Sequence, residues 1–160
     1  REDNHLTEEN KYGPVVVGVD GSDVSQQATE FAFAEADARG AKIEAIHTWI
    51  DMQVQASLAG LAAAQQEWKV VEEEQTQLLQ ERLAPLLEQY PNVDVDMVIT
   101  RDRPIRALVD AAKHAQLLVV GSHGRGGFKG MLLGSTSRAL LQSAPCPMMV
   151  VRPDSDAKAH

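Results

Sequence analysis

The sequence predicts a single doubly wound α/β domain, a five-stranded parallel sheet with helices on both faces. Three observations point there. Two continuous apolar runs, Val15-Val16-Val17-Gly18-Val19 and Leu117-Leu118-Val119-Val120, read as strands covered on both sides, as parallel strands are. Strand-like and helix-like segments alternate along the chain, the pattern of parallel strands joined by crossovers. A glycine-rich stretch, residues 121–136 (GSHGRGGFKGMLLGST), leaves the second run and leads into a helical segment.

The elements follow in order. Tyr12-Gly13-Pro14 precedes the first strand, and Asp20 closes it. Gly21-Ser22-Asp23 supplies turn and N-cap residues. Val24, Ala28, Phe31 and Ala32 recur at helical spacing and predict the buried face of a first helix. It ends at Arg39-Gly40, where glycine suits a C-terminal cap. Residues 42–49 read as the second strand, with Ile43, Ala45 and Ile46 apolar. After a looser stretch, a long helical pattern covers residues 61–90. There Leu79, Leu83, Leu86, Leu87 and Tyr90 share a face, and Pro85 is expected to kink or divide the helix. Residues 93–100 alternate as a third strand, with Val93, Val95, Met97 and Ile99 on one side. Pro104 opens a third helix whose expected buried face is Ile105, Leu108, Val109 and Ala112. The fourth strand covers residues 117–120, and a fourth helix residues 135–143. Pro145-Cys146-Pro147 breaks the chain before a fifth strand at residues 148–151.

The glycine stretch carries the chemistry. Glycine bends where other residues cannot and lets a ligand approach backbone N–H groups. A helix N-terminus adds unpaired donors and a partial positive charge. Together they make a cradle for an anion, most often a phosphate chain; a merely floppy loop is the plain alternative. A P-loop is excluded, because Lys129 is followed by Gly130 and Met131. A dinucleotide fingerprint is excluded, because Lys129 stands where its last glycine belongs and the stretch comes late in the chain. What remains is Gly-x2-Gly-x9-Gly-Ser, formed by Gly121, Gly124, Gly134 and Ser135. Ligands of open parallel sheets lie beyond the carboxyl ends of strands, where strand order reverses. Asp20 and the glycine stretch become neighbours there if the order is 3-2-1-4-5.

Composition bounds the rest. Hydrophobic residues make up 44% and charged residues 24%, the balance of a globular domain. A net charge of −8 argues against a general nucleic-acid binder, which presents a basic face. The lone Cys146 excludes an internal disulfide and a multi-thiolate metal site, and a reducing, cytoplasmic setting fits. No membrane partner is expected: no apolar run reaches the roughly 18 residues of a spanning helix, and no signal peptide is visible. Residues 1–13 read as a flexible lead-in or linker, residues 14–153 as the domain and residues 154–160 as a loose tail.

With Asp20 and the glycine pattern placed, the chain resembles the universal stress protein family, in its ATP-binding branch. The resemblance covers residues 14–153. It rests on VVVGVDGS at residues 15–22, LVVGSHGRG at 118–126, LLGS at 132–135 and APCP at 144–147. It implies a Rossmann-like fold with sheet order 3-2-1-4-5. It also implies an ATP-binding regulatory protein of the stress response, acting as a nucleotide-dependent switch or sensor. Asp20 then lies near the adenine or ribose, Gly18 and Val19 lie against the base, and Thr48 stands beside them. Gly121 and Gly124 approach the ribose and phosphates, in a loop shared with Ser122, His123, Arg125 and Gly126. Gly134, Ser135, Thr136 and Ser137 hold the phosphates with backbone N–H and hydroxyl groups. Mg2+ bridges phosphate oxygens, because the chain offers no dedicated cage. The resemblance further implies a homodimer, or a tandem pseudo-dimer, joined through the edge strand near Met148 and Val151. The start at Arg1 suits the second half of a tandem member.

Several residues admit plainer roles. Asp20 can cap the turn that follows it. His123 can contribute its backbone alone, with an exposed ring. Arg125 suits a phosphate and the surface equally. His47 reads as packed in or near the core, Arg101 and Arg103 as surface, and Glu72, Glu73 and Glu74 as a solvated face. Ser135 has no evident base beside it, so a phosphate-binding hydroxyl is preferred to a nucleophile. Cys146 reads as a buried small side chain. No catalytic residue is assigned, and hydrolysis is expected to be weak at most. A slow ATPase or self-phosphorylating enzyme, a binder of AMP or cyclic AMP, and a partner domain with a vestigial pocket are the competing functions.

Overall fold

The computed structural model describes residues 12–20, 23–48, 68–100, 104–122 and 135–152. In chain order these form strand β1 (Val15–Val19), helix α1 (Asp23–Arg39), strand β2 (Ile43–Thr48), helix α2 (Trp68–Gln89), strand β3 (Val95–Thr100), helix α3 (Pro104–Ala112), strand β4 (Leu117–Gly121), helix α4 (Ser135–Ser143) and strand β5 (Met148–Val151). The strands make one parallel sheet in the order β3-β2-β1-β4-β5. Strand order reverses between β1 and β4, where Val15 pairs with Leu117 and Val17 with Val119.

Burial on both faces explains the unbroken apolar runs. Val15, Val17, Val19, Leu117 and Val119 pack with Ala28, Ala32, Phe33 and Ala36 of α1 and with Leu79, Leu83 and Leu86 of α2. Val16, Ile46, Leu118 and Val120 turn to the other face and meet Leu108 and Ala112 of α3 and Leu140 of α4. A strand with helices on both sides has no solvated face to mark with polar residues.

Helix α1 departs from the expected face. Phe31 is 53% exposed, whereas Phe33 is fully buried, 6.0 Å from the ring of Tyr90. The buried stripe is Ser25, Ala28, Thr29, Ala32, Phe33 and Ala36. Two hydroxyls sit in it because both are satisfied locally. Thr29 Oγ1 donates to the Ser25 carbonyl at 2.8 Å, and Ser25 Oγ accepts the Asp20 N–H at 3.0 Å. The helix stops where expected: Gly40 takes φ 65°, Ala41 N–H bonds Ala36 O at 2.9 Å and Gly40 N–H bonds Asp37 O. That is the Schellman arrangement, which needs a left-handed residue.

Helix α2 runs unbroken through Pro85. Proline inside a helix costs about 3 kcal/mol. Burial of Leu79, Leu83 and Leu86, at about 1.5–3 kcal/mol each, outweighs that, and Pro85 itself is exposed. The expected helical residues 61–67, and Arg101 and Arg103, lie outside the described residues. On α3, Leu108 and Ala112 are buried as expected, but Ile105 is 37% exposed, so the apolar contact begins one turn later. Strand β3 starts at Val95, two residues later than expected; Val93 just before it is buried, and Val95, Met97 and Ile99 pack on the α1–α2 face as the alternation predicts.

Candidate functional site

Three strand ends and one helix start converge at the carboxyl edge of the sheet. Strand β1 ends at Val19 and passes into Asp20, and β4 beside it ends at Gly121 and Ser122. Strand β2 ends on the other side of β1 at His47 and Thr48, with His47 in register with Val19. Ser135 and Thr136 form the first turn of α4. His123, Gly124, Arg125, Gly126 and Gly134 lie outside the described residues.

Each end is fixed by specific contacts. Ser137 is 3% exposed, and its Oγ donates to the Gly121 carbonyl at 2.6 Å. That bond holds the start of α4 against the end of β4. The Ser137 proton is therefore committed to the backbone, and the side chain seats the helix N-terminus. Ser122 is fully buried, and its N–H bonds the Val151 carbonyl at 2.7 Å. The glycine stretch thus leaves from a backbone tied to β5 on one side and α4 on the other. The first N–H groups of α4 have no partner within the helix and carry its positive dipole end. An anion is the natural complement of that end.

The glycines at this edge have packing reasons of their own. A Cβ on Gly121 would stand 2.6 Å from Val24 Cγ1, in the first turn of α1. A Cβ on Gly18 would stand 3.2 Å from Leu108 Cδ1 of α3. At Gly121 a side chain would force Val24 or its helix to shift, whereas at Gly18 the contact is only tight and the Leu108 side chain would have to give by a few tenths of an ångström. Sequence reasoning assigned these glycines to the ligand alone; their helix partners emerge only with the tertiary fold.

His47 is 8% exposed, in agreement with its expected place in the core. Its Nδ1 lies 2.8 Å from the Val19 carbonyl, and its Nε2 lies 2.8 Å from Oε1 of Gln75 on α2. Ser25, bonded to the Asp20 N–H, completes this side of the site. Neither Ser25 nor Gln75 was among the expected site residues. Ser25 had a faint signal, a hydroxyl one turn into a helix just after Asp20; Gln75 had none. Cys146 is 1% exposed, and burial pushes its thiol up to about 11. It is the inert, packed side chain expected. Among the described residues, no group of three or more His, Cys, Asp or Glu could hold a metal ion, and no helix is long and apolar enough to cross a membrane.

Known proteins share this fold. Residues 11–152 match the universal stress protein family. The universal stress protein Rv2005c of Mycobacterium tuberculosis is 47% identical over 150 residues, which are 94% of this chain and 49% of that protein. The chain spans about half the length of the curated relatives it matches. Among solved structures, universal stress protein UspA from Lactobacillus plantarum superposes with a TM-score of 0.66 at 22% identity, covering 88% of this chain and 98% of that one. A universal stress protein in complex with cAMP gives 0.59 at 26% identity, covering 88% and 97%. The universal stress protein from Archaeoglobus fulgidus in complex with dAMP gives 0.59 at 23% identity, covering 88% and 98%. With its sheet order, its Asp20 and glycine edge, and this sequence match over nearly all its length, the chain belongs to the universal stress protein family.

Proposed function

We propose that this domain is a cytoplasmic, ATP-binding regulatory module of the stress response. The observation that carries the reading is the switch point itself. Asp20, the ends of β1 and β4, and the N-terminus of α4 meet at one edge, with α4 seated there by the Ser137–Gly121 bond of 2.6 Å. Phosphates would lie on the α4 N-terminus and the Gly124 and Gly134 backbone, with Ser135 and Thr136 hydroxyls and Arg125 as further partners. Asp20, Val19, Gly18 and Thr48 would face the nucleoside. Mg2+ would come with the nucleotide, held through phosphate oxygens. Signalling would follow from a shift between bound and empty forms that differ around the glycine stretch. Assembly would use the edge strand β5, which pairs with β4 on one side. Its partner would be a second copy or a second, similar unit of a longer chain, the latter supported by relatives about twice as long.

A second reading keeps the site and changes the ligand. Two universal stress proteins of similar fold are described in complex with cAMP and dAMP, so an adenosine monophosphate is the competing occupant. The test is to denature freshly purified protein, identify any released nucleotide by chromatography and mass spectrometry, and titrate the emptied protein with MgATP, AMP and cAMP. Near-stoichiometric ATP or ADP, with MgATP the tightest ligand, supports the proposal. Tighter AMP or cAMP binding favours the second reading, and no binding of any of the three overturns both.

A further inference from the structure

The peptide that joins Val19 to Asp20 is held at both of its polar atoms by side chains from outside β1. Its carbonyl, on Val19, lies 2.8 Å from His47 Nδ1. Its N–H, on Asp20, donates to Ser25 Oγ at 3.0 Å. His47 comes from β2 and is 8% exposed; Ser25 comes from the first turn of α1 and is 3% exposed. A peptide is a rigid plane. Bonds on its two opposite edges fix its rotation about the chain, and so the direction in which Asp20 leaves the strand.

We infer that His47 and Ser25 are positioning residues for the nucleotide: together they clamp the Val19–Asp20 peptide and orient Asp20 toward the ligand. The inference rests on the nucleotide-binding reading above and adds two residues to it. A carbonyl only accepts, so the His47 proton sits on Nδ1. As placed, Gln75 Oε1 lies 2.8 Å from Nε2 and accepts from a ring protonated on both nitrogens; a ring protonated on Nδ1 alone is met at Nε2 by the Gln75 NH2 once the amide is turned over, an exchange of O and N that leaves the contact in place. In both states the bond to Val19 persists, and Gln75 steadies the ring from α2. The clamp therefore links α1, β1, β2 and α2 at the point where the site begins. A carboxylate held in its bound orientation loses little freedom when the ligand arrives, which is the gain from preorganisation.

The experiment is calorimetric titration of MgATP into the full chain and its variants, with circular dichroism as the check on folding. Wild type, His47→Ala, His47→Asn, Ser25→Ala, Asp20→Ala and the His47→Ala/Asp20→Ala double variant are compared. His47→Ala and Ser25→Ala are expected to weaken binding about tenfold, as loss of an orienting hydrogen bond allows. His47→Asn, whose amide N–H can replace Nδ1–H, is expected to recover most of the loss. In the Asp20→Ala background the His47→Ala effect is expected to fall below about twofold, because it acts through Asp20. Equal losses in both backgrounds, or wild-type affinity in folded Ser25→Ala and His47→Asn together with no loss in His47→Ala, overturn the clamp and leave the binding reading intact. A wild-type chain that takes up no MgATP removes the binding reading, and the clamp with it.

Discussion

Gly121→Ala probes the join between the glycine stretch and helix α1. The added Cβ would lie 2.6 Å from Val24 Cγ1 and 3.3 Å from the Val24 Cβ and backbone carbon. Two carbons rest at roughly 3.5–4.0 Å, so the methyl intrudes by about 1 Å. Val24 is β-branched, and its χ1 is stiff in a helix. Relief therefore requires a poorer rotamer or a backward shift of the first turn of α1. That turn carries Ser25, the acceptor for the Asp20 N–H. Overpacking of this kind costs about 1–3 kcal/mol. At about 2–4 °C per kcal/mol for a chain of this size, the melting temperature falls by about 2–12 °C. Val24→Ala alone removes two half-buried methyls and costs about 1 kcal/mol. It also makes room for the new Cβ, so the double variant should be about as stable as Val24→Ala. The assay is urea and thermal unfolding of the four proteins as a double-mutant cycle, with an expected coupling of about 1–3 kcal/mol. Additive losses would refute the packing account. A stable Gly121→Ala that lost MgATP binding in both backgrounds would return this glycine to the ligand alone.

Three further predictions concern the rest of the fold. Gln116 is 7% exposed, accepts Arg39 Nη1 at 3.1 Å and donates to the Gly13 carbonyl at 2.7 Å, so Gln116→Ala should cost about 1–3 kcal/mol in urea unfolding; an unchanged midpoint would show that solvent replaces both bonds. Glu44 is half-buried and stands in register with Asp96, and desolvation first, then the Asp96 charge, raises its carboxyl above the ordinary value. The native state then holds this proton to higher pH than the unfolded chain, so stability from this site falls as pH rises from the unfolded value through the raised one. Glu44→Gln should therefore stabilise the fold at neutral pH and lose that advantage below about pH 4, where both states are protonated; a pH-independent difference in unfolding midpoints contradicts this. Cys146, buried and with its thiol near 11, should resist a disulfide-exchange reagent at pH 8 in the native state and react fully on unfolding; stoichiometric labelling of the folded protein within minutes would disprove it.

The strands were legible because parallel strands leave a plain trace. Val15–Val19 and Leu117–Gly121 are buried on both faces, and a run with no polar interruption records that directly. Helix α4 and strand β5 were bounded correctly, the first starting at Ser135 after the last glycine of the stretch and the second following Pro147. Helix α1 was legible in extent and misread in orientation. It is alanine-rich and weakly amphipathic, so periodicity alone set Phe31 inward; the buried stripe in fact passes through Ser25, Thr29 and Phe33. A hydroxyl looks solvated in a sequence until its partner is known, and the partners here are the Ser25 carbonyl and the Asp20 N–H.

By itself the sequence determined the class of fold, the succession of elements and the edge of the sheet where the glycine stretch and Asp20 meet. These are local properties, written in periodicity, turn residues and motif spacing. Only the tertiary structure decided what holds that edge. His47 reaches Val19 because strand register sets β2 beside β1, Gln75 reaches His47 across from α2, and Gly121 accommodates Val24 because α1 crosses β4. Each of these contacts joins residues far apart in the chain. Their pairing follows from the packing of helices on the sheet, which no local pattern encodes.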